Sequence, residues 1–462
     1  MSKTASRPTS WKLFHIFAVL LLVSLLASPA AAVTIPPGGT DTAPEPARFA
    51  PGRVLVRFKD TLSTAAQPEL LSRYEAVYER GIYGSLTQVV RVPEGKEVEI
   101  AARLNADPAV QFAEPDYIFS IAVVPNDPRY NQQWAYPIIN APAAWDITTG
   151  SSSIVIAVID TGVDEAHPDL SAKLLPGRTF LGGVESAGAH DETGHGTHVA
   201  GIAAGATNNA IGIAGMAWGA RILPVRVMQA NGSGTESDIA AGMNWAVANG
   251  ADILNLSLGG TTAAIEMENA VNNAYAAGVL VIAAMGNSNT SIPSYPAAFN
   301  HVLAVSATNR IDGRAYYSNY GAHCDIAAPG GAMDSYQDPD GIMSTMPTYD
   351  VYMTTVDDYW KNYDFQQGTS MAAPYVSGLA ALILSLQPSY TPDQVQAVIQ
   401  NTAVDLGTPG WDQYFGWGRI NALAAVQSVG APAAPVLNSI SNADLDGNYL
   451  VDWEPSANAT SY

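Results

Sequence analysis

Stretches at 154–159, 222–227, 253–258, 279–284 and 302–306 are mostly apolar, broken by Arg226, Asn255, Ser257 and Ser306 but by no alternation that runs through the set. A strand apolar on both sides must be covered on both faces, so these segments call for a mainly parallel sheet between two layers of helices. Helix-forming stretches separate them. One, at 237–249, follows Thr235 as an N-cap, and another opens Thr391-Pro392-Asp393-Gln394, with a capping threonine, proline in first position and a glutamine reaching back. A hydrophobic content of 48% is enough to fill such a core. The expected centre of the molecule is therefore an α/β domain of three layers over 121–429.

The flanks read differently. Lys3, Arg7 and Lys12 precede an apolar run at 16–23, and Ala30-Ala31-Ala32 supplies a small-residue cleavage site. Residues 1–32 are expected to be a signal peptide; an uncleaved anchor is the competing reading, which the short apolar core and alanine-rich end disfavour. A Pro/Gly/Thr-rich stretch at 33–50 reads as a flexible leader. Strands at 53–58, 87–92 and 110–114, with helices near 68–79 and 98–104, make a small α+β unit over 51–120. After a proline-rich linker at 430–435, residues 436–462 resemble the start of a fibronectin type III domain around Trp453, cut short of the roughly seven strands such a sandwich needs.

The formal charge of −21 argues against a nucleic-acid partner, since phosphate binding needs a positive surface. Cys324 is the only cysteine, which excludes an intrachain disulfide framework; in its apolar surroundings it reads as a buried structural thiol.

Three motifs carry chemistry. The first apolar strand ends in Asp160-Thr161-Gly162, on the edge where open parallel sheets place their sites. Gly194-His195-Gly196-Thr197-His198 puts a histidine at the start of a small-residue helix, and Gly368-Thr369-Ser370-Met371-Ala372 puts a serine where another helix begins. In isolation Ser370 reads as an N-cap. With an acid and a histidine it reads as a nucleophile, because a serine hydroxyl attacks well only when an imidazole takes its proton and a carboxylate orients that imidazole. His198, three residues after His195, raises the thought of zinc, but no HExxH pattern or third ligand accompanies it, and a packed histidine is the better reading. Asp164 has no matched role.

In residue content and in the order Asp, His, Ser, these motifs resemble the three signatures of the subtilisin family of serine peptidases, in particular its thermitase-like branch. The resemblance implies a subtilisin-like fold with a ferredoxin-like inhibitory prodomain at 51–120. It implies a triad of Asp160, His195 and Ser370, and Asn287 as the side-chain donor to the oxyanion. It implies substrate pairing along Gly232-Ser233-Gly234 and Ser257-Leu258-Gly259, with Ser294 bordering the pocket for the residue before the cut. No acid stands at those positions, so apolar or aromatic side chains are expected there. It implies a structural calcium ion held by Asp127, Asp169, the Asn209 side chain and the carbonyls of Thr207, Ile211 and Ile213; oxygen ligands of this kind suit calcium. A second thermitase-type site near 180–191 looks degraded. The whole describes a secreted, monomeric zymogen without a stable membrane anchor, acting on proteins and peptides and removing its own prodomain by a cut between Tyr117 and Asn126.

Two readings of other classes compete. A non-catalytic binding protein has no need of an intact triad or of Asn287. An esterase on the α/β-hydrolase fold has a different order of triad residues and Gly-x-Ser-x-Gly at the nucleophile. The acidic stretch 334–364, long for the family, fits a specificity loop or an extra cation site, with a solvated surface excursion as the default.

Overall fold

The computed structural model describes residues 49–118, 124–430, 436–437 and 453–454. Two compact units divide the chain, one ending at Ile118 and the other starting at Phe119. The expected signal peptide, nearly all of the 33–50 leader, the linker beyond Gly430 and most of the 436–462 segment lie outside the described residues. Of that last segment, β15 (Val436–Leu437) and β16 (Trp453–Glu454) form an antiparallel pair, which does not amount to a fibronectin type III sandwich.

The first unit runs β1 (Phe49–Phe58), α1 (Gln67–Ser72), β2 (Val77–Gly81), β3 (Gln88–Arg91), α2 (Glu97–Asn105), β4 (Val110–Tyr117). Its sheet is antiparallel in the order β2-β3-β1-β4, the split β-α-β topology of ferredoxin-like units. Val54 and Val56 on the sheet pack with Leu70, Leu71, Ile100 and Leu104 from the helices. The helix expected near 68–79 ends instead at Ser72, and 77–81 becomes a strand. The reason is tertiary: β2 pairs with β3, and Glu79 on β2 binds Arg91 of β3 at 3.1 Å and reaches Arg53 of β1, the strand beyond, at 2.9 Å.

The second unit is built on β5 (Val155–Asp160), β6 (Arg178–Leu181), β7 (Val184–Ala187), β8 (Arg221–Arg226), β9 (Ile253–Leu256), β10 (Leu280–Ala284), β11 (Val302–Thr308) and β12 (Ile326–Pro329). Their order is β12-β11-β10-β9-β5-β8-β6-β7, parallel except for the β6–β7 hairpin at the edge. That hairpin escaped the sequence reading because β7 is exposed along its whole length and has no apolar face.

After α3 (Ala135–Ile138) and α4 (Ala141–Trp145), the helices are α5 (His195–Ala204), α6 (Glu236–Ala248), α7 (Ile265–Ala276), α8 (Tyr352–Thr355), α9 (Thr369–Leu386), α10 (Pro392–Asn401) and α11 (Ala422–Gly430). Alternate residues of β5 serve opposite faces. Ile156 and Val158 pack in the cluster of α5, α9 and α11, while Ala157 and Ile159 pack in that of α6 and α7. This gives the three layers that apolar strands demand. Helix α9 is long and apolar enough to cross a membrane, yet it is the central helix of this core, with Leu379, Leu382 and Ile383 fully buried. Thr235 caps α6 by accepting from Asp238 N at 3.3 Å, and Thr391 and Gln394 form the capping box of α10.

The 334–364 stretch is not a solvated excursion. β13 (Ile342–Thr345) and β14 (Tyr363–Gln366) pair antiparallel on either side of α8, and Met333, Met343 and Phe365 form a small core with Ile213.

Candidate active site

Strand β5 delivers Asp160 at its carboxyl end, and α5 starts at His195. Gly194 turns the chain into the helix with φ 110°, a conformation that favours glycine. His195 Nδ1 lies 2.7 Å from Asp160 Oδ1, with side-chain exposures of 23% and 2%. A carboxylate only accepts, so Nδ1–H donates and Nε2 is left as the basic lone pair. Asp160 Oδ1 also accepts from Thr161 N at 2.7 Å. Burial on its own lowers the imidazole pKa, but the charge and hydrogen bond of Asp160, aided by Asp191, carry it above the ordinary value.

Ser370 is the second residue of α9. Pro374, four residues on, has no N–H to offer its carbonyl. The Ser257 hydroxyl donates to that carbonyl instead, at 2.8 Å. Ser257 Oγ accepts from Asn255 Nδ2 at 3.0 Å, and Asn255 Oδ1 accepts from Ser377 Oγ at 2.8 Å. A buried polar chain thus fixes the backbone of the serine from beneath. The Ser370 hydroxyl itself donates to the Ser257 carbonyl at 3.1 Å, and a bond to His195 is not found among the described residues. Rotation about χ1 moves a serine hydroxyl between staggered positions, and catalytic hydrogen bonds are often unmade before substrate arrives.

β10 leads into Met285-Gly286-Asn287. Asn287 Oδ1 accepts from both Thr369 N and Thr369 Oγ1 at 2.9 Å, while Thr369 Oγ1 accepts from Gly286 N at 3.0 Å. With its oxygen taken twice, the amide turns its N–H₂ outward. A β-carbon on Gly368 would lie 3.1 Å from Asn287 Nδ2 and 3.6 Å from Ser370 N. Both donors therefore border one small space, which a side chain at 368 would obstruct. Such a pair of N–H groups stabilises negative charge developing on an oxygen.

A cavity of about 540 Å³ opens beside Ser370 and Asn287, lined also by Ser257, Leu258, Gly259, Ala284 and Ser294, with no charged side chain. Gly232, Ser233 and Gly234 border a neighbouring cavity of about 430 Å³ with Met228, Ile239 and Met267, again sharing Leu258 and Gly259. The substrate-pairing segments named from the sequence thus lie along one groove.

The sequence profile described as the subtilase family matches residues 151–418, the stretch that holds Asp160, His195, Asn287 and Ser370. The chain belongs to the subtilase family. The fervidolysin N-terminal prodomain profile matches residues 35–116 of the same subtilase. A "thermophilic serine proteinase" of Bacillus sp. (strain AK1) is 40% identical to it over 386 residues, 83% of this subtilase and 89% of that protein. Thermitase of Thermoactinomyces vulgaris is 41% identical over 304 residues, 66% and 99% of the two chains. The solved structure of a protease from Pseudoalteromonas arctica matches with a TM-score of 0.61 at 38% identity, covering 66% of the subtilase and all of the solved chain. The subtilase is accordingly a serine peptidase with a fervidolysin-like prodomain.

The loop after α5 gathers the residues assigned to calcium. Asp127 Oδ2 accepts from Asn208 N at 2.8 Å and Oδ1 from Asn209 N at 3.2 Å. Asp169 accepts from Asn209 Nδ2 at 3.0 Å and from Ile213 N at 2.9 Å. Thr207 flanks them, its hydroxyl bonded to Gly205 O and Gly215 N, and Ile211 lies at the exposed tip. Both acids are buried, 4% and 0% exposed, and neither has an ion pair among the described residues. Burial, and then the neighbouring Asp169, push the Asp127 pKa up against its two N–H donors. Two buried acids without a cation are what a hard divalent ion would relieve, so the two carboxylates fit calcium. Asn209 turns its Nδ2 to Asp169 and its Oδ1 to Ile211 N, and would have to flip to serve as the expected ligand. Among the described residues no group of three or more His, Cys, Asp or Glu side chains surrounds a metal position, so amide and carbonyl oxygens would have to complete this one.

Asp191 was missed. Its Oδ1 accepts from Thr161 Oγ1, Thr193 N and Gly194 N at 2.8–2.9 Å, and its Oδ2 from Thr197 N and Oγ1. It thereby binds the Asp160 turn to the start of the His195 helix. The available signal is an acid four residues before a helix-initiating histidine. His198 is fully buried and donates from Nε2 to Asp364 O at 3.1 Å; burial pushes its pKa down to about 3, so it stays a neutral packing residue. Cys324 is buried with its pKa raised to about 12, which leaves no thiolate to react.

Proposed function

We propose that this subtilase is a secreted endopeptidase that cleaves proteins through an acyl-enzyme on Ser370. In this reading the Ser370 hydroxyl turns from the Ser257 carbonyl to His195 Nε2, which takes its proton as the hydroxyl attacks the peptide carbonyl. The proton then passes to the leaving amine, and water repeats the sequence to release the acid. Asp160 holds the tautomer and stabilises the imidazolium, while Asn287 Nδ2 and Ser370 N bind the oxyanion. The substrate lies extended along 257–259 and 232–234 with a neutral, mainly apolar residue in the 540 Å³ cavity. The observation that carries this reading is the 2.7 Å His195–Asp160 bond next to the two donors that converge at Gly368. Labelling with a fluorophosphonate probe tests it: adduct mapped to Ser370 by mass spectrometry is expected, and an unlabelled Ser370 in the processed, folded enzyme refutes it.

Secretion rests on the signal-like residues 1–32, and self-removal of 51–120 on the prodomain match. A single mature chain is the expected active form.

The neutral imidazole is the working base, so activity falls as pH drops through the pKa of His195. Because that pKa is raised, the acid limb of the kcat/KM profile is expected above pH of about 6.5. The stability contribution has the opposite sense: the charged His195–Asp160 pair stabilises fully below the unfolded-state value and is lost as pH rises through the folded one. An acid limb well below 6.5 would contradict the assignment.

A calcium ion at Asp127, Asp169 and Asn209 would link the start of the mature chain to α5 and its following loop, neutralising two buried charges. Chelation is expected to lower the melting temperature by an amount that grows with calcium in the reference sample; at about 1,000 times Kd the ion contributes about 4 kcal/mol. A melting curve that EDTA leaves in place argues against the site.

A further inference from the structure

The 334–364 stretch has a fixed seat beside the triad. Tyr352 N and Met353 N donate to the carbonyls of Glu192 and Thr193 at 3.0 Å, on the segment that leads into His195. The Tyr349 hydroxyl donates to Asp191 O at 2.9 Å, and its ring stacks on His190 with centroids 4.6 Å apart. Thr348 N and Oγ1 donate to Asp164 Oδ2 at 2.9 and 2.8 Å. Helix α8 is therefore a wall held by hydrogen bonds through its first turn and the segment that enters it, and Val351 just before it is buried.

That wall closes a cavity of about 310 Å³ on the His195 side of the groove, where Tyr352, Met353 and Asp357 face Asp160 and His195. Ser257, Leu258 and Gly259 border this cavity and the 540 Å³ cavity alike. Successive side chains of an extended peptide point to opposite sides. A substrate laid along 257–259, with the residue before the cut in the larger cavity, therefore sends its next residue upstream into the smaller one. Asp160 is engaged by His195, whereas the Asp357 carboxylate has no ion pair and no side-chain hydrogen bond among the described residues. No lysine or arginine lines the cavity.

We propose that Asp357 sets a preference for lysine or arginine at the second position before the cleaved bond, with Tyr352 and Met353 packing the alkyl stem. The inference rests on the peptidase reading above and names one specificity determinant within it. A long basic side chain lays its methylenes on apolar surface and keeps its charge at the wetter end, where Asp357 stands partly exposed.

The test compares two tetrapeptide p-nitroanilides ending in phenylalanine, with lysine or alanine just before it, on the mature enzyme and on Asp357→Asn. At low salt the wild-type kcat/KM ratio, lysine over alanine, is expected to be about 5, the scale of a partly exposed ion pair. It should fall towards 1 as ionic strength approaches about 1 M, and stand near 1 in the variant at any salt. A ratio that neither salt nor Asp357→Asn alters overturns the inference while leaving the peptidase reading intact. If the variant fails to fold, the salt dependence of the wild-type ratio decides alone. Failure of the wild-type enzyme to cleave either peptide overturns the peptidase reading itself.

Discussion

Ser370→Ala is expected to lower turnover on the order of 10⁶-fold, the size of the loss when subtilisin is stripped of its nucleophile. The loss is that large because the triad works as a unit: without the hydroxyl, His195 and Asp160 activate nothing, and what survives comes from the oxyanion donors and binding. No neighbour substitutes for it. The Ser257 hydroxyl is committed to the Ser370 carbonyl and buried beneath it, and the thiol of Cys324 is buried in another cluster. The variant should also keep its N-terminal segment attached when expressed without other proteases, seen as the intact mass of the secreted product. Trimming that continues at the wild-type position under those conditions would assign processing to something other than this serine. Circular dichroism with a native-like melting curve shows that the loss is chemical, since removing one hydroxyl bonded at 3.1 Å to a carbonyl disturbs little of the core.

Asn287→Ala is expected to lower turnover by about 10²–10³ while KM changes little; this size again comes from subtilisin. The split between the two parameters follows from when the bond forms. In the proposed mechanism Asn287 Nδ2 meets charge that develops on the carbonyl oxygen only as Ser370 attacks, so its contribution would belong to the transition state. Thr369 orients that donor, because its N–H and hydroxyl both hold Asn287 Oδ1 and so turn the amide nitrogen away from them. Thr369→Val removes one of the two holds and should give a smaller loss in the same parameter. A variant at 287 in which KM rises and turnover is kept would show that the amide binds the ground state, and would remove it from the oxyanion role.

Much of the molecule was legible before any coordinates. The apolar runs correspond to β5, β8, β9, β10 and β11, because a strand buried on both faces is apolar at most positions and stands out from its surroundings. The capping box at Thr391 was equally plain, since it depends on residues three apart. Strands β2 and β7 were not, as each lies at a sheet edge with exposed side chains and gains its order from a neighbour. Asp191 was hidden for a related reason: an acid that binds backbone N–H groups looks in sequence like any solvated acid.

The fold, and the placing of Asp160 at a strand end and of His195 and Ser370 at helix starts, were therefore legible in the sequence alone. Three things were decided only by tertiary structure. The carbonyl freed by Pro374 is met by Ser257, just past the end of β9 and more than a hundred residues away. Asp191 joins the turn after β5 to the start of α5. Helix α8 is brought alongside His195, which makes part of the acidic 334–364 stretch one wall of a cavity there. Each depends on pairing between segments distant in the chain, and the polarity pattern of a segment records whether it is buried but not what it is buried against.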